Sequence, residues 1–316
     1  MASTLSCHKG DKAVITTNTY DFPIGLKEDL NEVFDFHANK TNEFEPLFKM
    51  VETEDAFFDD IQIQMDGPVE QTTEGGPFTR VDISNVRKKR YTVGTTKVEC
   101  KITREAVEDL KYEQMKDGVQ AVAVSMNTSI DIAAAAIFML GFTSVQSPDG
   151  VSLFNTAHTL SAPLAGYPTT NSNRSNLSLN PTNLKARRIA SNKMRDEKGI
   201  PVAQRVRQLI TGPDQEYNAA LCTQSGKESG TANNNENVGG RGLQSFLMTW
   251  LQDALYPNMW ILRDPDIAKN KFVWRKKPHQ WMDYDTQTAD FLYRGETRYT
   301  VGVSTYMGLD GNTGEV

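Results

Sequence analysis

Between Val107 and Leu140, apolar residues return every three or four positions: Val107, Leu110, Met115, Val119, Val122, Met126, Ile130, Ala133, Ile137 and Leu140. That spacing places them on one stripe of an α-helix. Thr103 stands where an N-cap is needed, Glu105 and Glu108 lie near the positive end of the dipole, and Gly141 supplies a stop. The pattern predicts one helix over 103–141, about 37 residues and ~55 Å long, against a usual length of about 11–12 residues. One rod dominates the fold, with Gly118 and the small polar patch from Ser125 to Ser129 as its weak points.

Upstream, Val81-x-Ile83, Tyr91-x-Val93 and Val98-x-Cys100-x-Ile102 alternate with period two, and Gly67-Pro68 and Gly75-Gly-Pro77 mark turns. Residues 52–102 therefore read as a long β-hairpin or ribbon. It has too few apolar residues for a two-sided core, and a two-stranded ribbon alone is marginal in water, so it has to lie on something else. Residues 1–43 read as an arm. Its weak helical stretch, Leu26 to Phe36, puts Leu26, Leu30, Val33 and Phe34 at helical spacing, suited to docking on another surface, with a different subunit as the natural partner.

Downstream, Ser147-Pro-Asp-Gly150 is a turn and Val151 to Phe154 a short strand. Asn180-Pro181 opens a helix running from Leu184 to Met194, and Gly212-Pro213 precedes another over Gln215 to Cys222. Residues 225–242, rich in Gly, Ser and Asn, read as a mobile loop. Leu243 to Leu251, Met259 to Leu262, Lys271 to Trp274 and Arg298 to Val303 read as strands.

The 316 residues are 38% hydrophobic and 23% charged, in the range of water-soluble globular chains. The longest strongly apolar run, Ile132 to Leu140, is less than half of the roughly 20 residues that cross a bilayer, so no membrane span is expected. The start of the chain lacks a signal-peptide pattern, and Cys7, Cys100 and Cys222 are odd in number and widely spaced. Both features fit synthesis and residence in a reducing compartment. With 34 Lys and Arg against 40 Asp and Glu, the net charge is −6, which gives no general attraction to nucleic acid. The one dense basic run is Arg87-Lys-Lys-Arg90.

Catalytic and ligand motifs fail on their spacing. Gly226-Lys227 lacks the earlier Gly of a phosphate loop, since Leu221 stands there. Asp264-x-Asp266 and Asp283-x-Asp285 open like calcium loops, but Lys269 and Thr288 occupy the position that needs Gly. His8, His37, His158 and His279 are scattered, and Cys7-His8 lie in the arm. His158, beside an apolar strand, reads as a hydrogen-bonded structural histidine. No catalytic residue, cofactor site or metal site is expected.

Several strings follow the arm, ribbon and rod in order: Asp149-Gly-Val-Ser-Leu-Phe-Asn-Thr-Ala-His158, Asn192-Lys-Met-Arg-Asp-Glu-Lys-Gly-Ile-Pro201, Leu209-Ile-Thr-Gly-Pro213, Trp260-Ile-Leu-Arg-Asp-Pro265, Arg275-x-Lys-Pro278 and Arg298-Tyr-Thr-Val-Gly-Val303. Over about residues 20–305, this order resembles the major capsid proteins of tailed bacteriophages, the Mu-type head subunits above all. The resemblance implies an α+β, Hong Kong 97-like capsid fold. In it, 1–43 is the N-terminal arm, 44–102 the extended β-hairpin loop lying over a neighbour, and 103–180 the peripheral domain with spine helix 103–141. Residues 181–290 are then the axial domain, and 291–316 hold the strand returning to the peripheral domain.

The implied function is structural. Copies assemble as hexamers and pentamers into an icosahedral shell that encloses double-stranded DNA without sequence-specific binding. A scaffolding protein, a portal, a head maturation protease and a decoration protein are the implied partners, and the implied location is the virion, after assembly in a bacterial cytoplasm. Too few residues precede the ribbon for a built-in scaffold, so a separate one is expected. The ribbon has no Lys between Val51 and Arg87, so a noncovalent shell is expected. Arg80, Arg87, Lys88, Lys89 and Arg90 are expected to meet Glu105, Glu108 and Asp109 of an adjacent spine. The alternatives are an encapsulin-like compartment with a protein cargo and, more remotely, a soluble α/β enzyme.

Overall fold

The computed structural model describes residues 24–65, 71–76, 78, 83–227 and 236–315. Helix α1 (Ile24–Ala38) leads into strands β1 (Lys49–Glu52), β2 (Phe57–Met65), β3 (Ile83–Thr92) and β4 (Gly94–Ile102). Helices α2 (Arg104–Glu108) and α3 (Tyr112–Met139) follow, then the short strands β5 (His158–Thr159), β6 (Thr170–Asn171) and β7 (Arg174–Ser175). Next come α4 (Pro181–Asn192), β8 (Gln208–Thr211), α5 (Glu216–Thr223), β9 (Gln244–Leu247) and β10 (Trp260–Arg263). The long strands β11 (Asn270–Tyr284) and β12 (Phe291–Val303) and the terminal β13 (Leu309–Asn312) complete the chain.

The helical stripe forms, but not as one rod. Thr103 caps α2 as expected, its Oγ1 accepting from the Ala106 N–H. The helix then closes on itself. The Lys111 N–H bonds back to Ala106 O and the Leu110 N–H to Val107 O, with Leu110 in the left-handed region at φ 57°. This is the six-to-one closure that usually uses Gly, so the three-and-four spacing runs straight through a chain break. A leucine in that conformation costs about 1–2 kcal/mol. Leu110 is also 63% exposed, so it gains little burial in return. Leu110→Gly is therefore expected to raise stability, by up to about 1 kcal/mol after the entropic cost of Gly. A lower urea midpoint in this variant would show that the side chain makes up the difference.

Beyond the break, α3 runs continuously through Gly118 and buries Met115, Val119, Val122, Met126, Ile130, Ala134 and Phe138. Together with its last turn, it is long and apolar enough to cross a membrane by length and composition alone, a test that a core helix also passes. Much of its apolar surface is used within the fold. One side of its first half packs on α1, β4 and β12, burying Leu26, Leu30, Phe34, Ile102, Phe291 and Tyr293. The helical stretch of the arm thus docks on its own spine instead of a second subunit. Each buried Leu or Phe is worth roughly 1.5–3 kcal/mol, and an intrachain partner supplies this without the entropy loss of association.

Two sheets carry the rest. The first has the order β1-β11-β12-β4 and the second β7-β13-β10-β8-β9. The expected ribbon of 52–102 therefore divides. Strands β2 and β3 form a two-stranded ribbon, while β4 leaves it to pair with β12 in register from Phe291↔Ile102 to Tyr299↔Gly94. The expected strand from Val151 to Phe154 is instead a loop with a single bridge, Gln146↔Ser152. Its Leu153 and Phe154 N–H groups bond to Val145 O and Gly141 O, which sends both side chains into the core.

The central core joins the second half of α3 to both sheets around Phe272, which stacks on Phe44 at 4.6 Å and lies 4.6 Å from Trp274 and 5.2 Å from Tyr299. Helix α4 begins as its sequence predicts, with Asn180 accepting from the Asn183 N–H at 2.8 Å and Pro181 in the first turn. It is tied to the second sheet by Arg187, whose guanidinium grips the fully buried Asp310 of β13. Asn312 donates to the same carboxylate at 3.0 Å.

Candidate functional site

The feature with the most concentrated chemistry lies under the β2–β3 ribbon. Opposed residues of an antiparallel pair share a face, and the register Phe58↔Tyr91, Asp60↔Lys89, Gln62↔Arg87 gives the ribbon an inner side. Phe58 and Tyr91 stack with their rings 6.2 Å apart. The Tyr91 hydroxyl meets Ser304 Oγ at 2.8 Å, and the ring fills a notch at Gly302, where a Cβ would collide with it. Asp60 pairs with Lys271 of β11 at 2.6 Å, and Lys89 donates to Gln146 O at 2.8 Å. The base of the ribbon is closed by the Val93 N–H, which donates to Ala56 O at 3.0 Å.

Arg87 reaches deepest. Its Nη2 donates to Thr159 O at 2.7 Å and to Glu197 Oε2 at 2.9 Å, and its Nη1 lies 3.9 Å from Asp149 Oδ2. The two carboxylates are 1% and 3% exposed. The Ser161 N–H fixes Glu197 through the same oxygen at 2.9 Å. Asp149 Oδ2 also meets His158 Nδ1 at 2.5 Å. The other ring nitrogen faces Asn173 Oδ1 at 3.0 Å, and the ring stacks on Tyr306 at 3.9 Å. Burial pushes the His158 imidazole down to about 4 and the Tyr306 hydroxyl up to about 12. A His–Asp pair of this kind could orient a nucleophile. Here the far nitrogen meets an amide oxygen and the ring is fully buried, so the arrangement holds chain segments together.

The outer side of the ribbon differs. Asp59 sits between Lys88 at 2.7 Å and Arg90 at 2.7 Å, and their hydrogen bonds hold its carboxyl far below the usual range. Arg90 also lies over the Phe57 ring at 4.1 Å, and Phe57 and Ile61 are 44% and 45% exposed.

These positions account for the charged residues singled out in the sequence. Arg87 and Lys89 turn inward and Lys88 and Arg90 outward, all four with partners in the same chain. Arg80 lies outside the described residues. Glu105, Glu108 and Asp109 share an exposed corner around α2, where Glu108 pairs with Arg104 at 2.8 Å and Asp109 with Lys111 at 3.2 Å. Sequence reasoning missed Asp149 and Glu197. The alternation of Arg87, Lys89 and Tyr91 on β3 was a readable sign that part of the basic run faces inward. Among the described residues, no group of three or more His, Cys, Asp and Glu side chains is placed to hold a metal ion.

No family model and no curated protein matches this chain in sequence. Solved structures do match in fold. A virus-like particle from Pyrococcus furiosus superposes with a TM-score of 0.50 at 11% identity, covering 90% of this chain and 98% of its own. The procapsid of bacteriophage JBD30 gives 0.50 at 12% identity over 93% of this chain and 77% of its own. The capsid of cyanophage P-SCSP1u gives 0.51 at 12% identity over 86% and 88%. The chain has a capsid shell fold. This is the α+β, Hong Kong 97-like class that the order of arm, ribbon and spine implied. In this shell fold, the charge cluster and the two-faced ribbon are the parts whose chemistry goes beyond packing.

Proposed function

We propose that this chain is the repeating subunit of an icosahedral phage shell that encloses double-stranded DNA. The observation that carries the reading is the fold, shared over most of the chain with subunits of a procapsid and a capsid. The exposed Phe57 and Ile61 on a ribbon with internally paired charges support it, as does a net charge of −6, which suits a container that releases its contents. Hexamers and pentamers, a separate scaffolding protein, a portal, a maturation protease and a location in the virion belong to this reading. So does the division into arm (1–43), extended loop (44–102), peripheral domain (103–180), axial domain (181–290) and C-terminal return (291–316).

A compartment shell with a protein cargo is the second reading, favoured by the match to nearly the whole chain of the Pyrococcus furiosus particle. Electron microscopy of the purified protein, with and without a co-expressed scaffold, tests both readings. Closed shells are expected, with packaged nucleic acid favouring the first reading and packaged protein the second. Persistent monomers under every condition would refute the two together.

The exposed corner of Glu105, Glu108 and Asp109 is proposed to meet Lys88 and Arg90 of a neighbouring ribbon. The double variant Glu105→Lys, Glu108→Lys is expected to lower shell yield by about tenfold or more, because like charges then face each other across the contact. Its thermal unfolding is expected to stay near that of the parent. An unchanged yield would remove this contact.

A further inference from the structure

We infer that Asp149, Glu197 and the Thr159 carbonyl form a socket for a guanidinium group, and that its occupancy by Arg87 decides whether the ribbon lies on the body of its own subunit or lifts from it. Three observations carry this. First, the socket draws on three segments distant from the ribbon, the loop after α3, strand β5 and the loop after α4, and Arg87 joins the ribbon to all three, beside Lys89, which reaches Gln146 O in the first of them. Second, the fit is incomplete. Arg87 Nε and Glu197 Oε1 are buried without a hydrogen-bond partner, and Nη1 stands off from Asp149 at 3.9 Å. A guanidinium held by part of its fork is easier to withdraw than one with every donor used. Third, a β2–β3 pair lifted off the body would be an isolated two-stranded ribbon, which is marginal in water.

The charges in and around the socket give the contact a direction of response to acid. Arg87 is attracted by Asp149 and Glu197, and His158 Nδ1 meets the same Asp149 oxygen, Oδ2, that faces Arg87. Around them, Tyr306 stacks on His158, Lys89 is bonded to Gln146 O, and Asp196 and Lys198 flank Glu197, Asp196 accepting from the N–H groups of Lys198 and Ile200. Burial first, and the Arg87 charge with it, keep the His158 imidazole neutral down to about 4. A proton taken up there adds a positive charge beside Asp149 and weakens the socket's hold on Arg87, so acid lifts the ribbon. The socket belongs to the single chain, and its test does not depend on the shell reading.

Hydrogen exchange on the full-length, unassembled chain tests it, following the backbone amides of β2 and β3 with those of α3 and β10 as internal references. At neutral pH, Arg87→Ala is expected to speed exchange in the ribbon by at least about tenfold and leave the references unchanged, corresponding to about 1.4 kcal/mol or more of lost docking. Arg87→Lys, which keeps the charge and loses the fork, is expected to fall between the parent and Arg87→Ala. Glu197→Gln is expected to speed ribbon exchange at neutral pH. In the parent chain, ribbon exchange corrected for its intrinsic pH dependence is expected to rise as pH falls. Ribbon protection unaffected by Arg87→Ala or Glu197→Gln would overturn the inference. Equal loss of protection in α3 and β10 in all three variants would also overturn it, showing a general structural support instead of a releasable contact.

Discussion

Phe272→Ala is expected to lower the free energy of unfolding by about 3–5 kcal/mol. Phe272 is fully buried on β11, and three other aromatic rings surround it. Those rings cannot close over the space it leaves. Trp274 and Tyr299 are fixed on paired strands, and Phe44 is fixed at the start of the turn before β1. A cavity that does not collapse forfeits both burial and contact energy. Against a total stability of about 5–15 kcal/mol for a typical domain, the loss leaves little margin. Phe272→Leu, which keeps most of the volume, is expected to lose under about 1.5 kcal/mol. Urea denaturation of the two variants checks the argument, and equal losses would show that the cavity is not the cause.

The second large effect concerns Arg187 and Asp310, and it depends on pH. Removing the guanidinium leaves a buried carboxylate unpaired, a change that costs about 3–5 kcal/mol. Burial pushes the Asp310 carboxyl up to about 6, while Arg187 and Asn312 pull it down. Its unfolded value lies near 3.9. The folded chain therefore binds this proton more tightly than the unfolded one. The group's contribution to stability is fully present below the unfolded value and is lost as pH rises through about 6. Without Arg187, the folded value climbs further. The deficit of Arg187→Ala relative to the parent is thus expected to be largest above about pH 6 and to shrink toward about pH 4. Paired urea midpoints across that range measure it, and a deficit independent of pH would contradict the argument.

The parts of the fold governed by short-range chemistry were legible. The Asn180-Pro181 start of α4, the Thr103 cap and the buried positions from Met115 to Ile130 each follow from a few neighbouring residues. The break at Leu110 was not legible, because a leucine in the left-handed region looks like one more apolar position in the stripe. The strand predicted from Val151 to Phe154 failed for a related reason. Buried apolar residues in a row require a core, but here their N–H groups are satisfied by Val145 O and Gly141 O instead of a ladder.

The charge cluster was hidden more deeply. Arg87, Asp149, His158 and Glu197 come from β3, two loops and β5, and only the folded chain brings them within bonding distance. The docking of α1 on its own spine was hidden too. Its apolar side was visible, but nothing local says which copy of the spine receives it.

Val93 alone separates β3 from β4, and its bond to Ala56 O ties down the incoming strand at the same height. With so little slack on the outgoing side, the ribbon can pivot but cannot slide, so any excursion is a rotation about this hinge. The nine residues of β2 make a lever of about 30 Å at ~3.3 Å per residue. A turn of about 10° at its root would carry Met65 through an arc of about 5 Å. Small adjustments at the base would therefore be magnified several-fold at its far end.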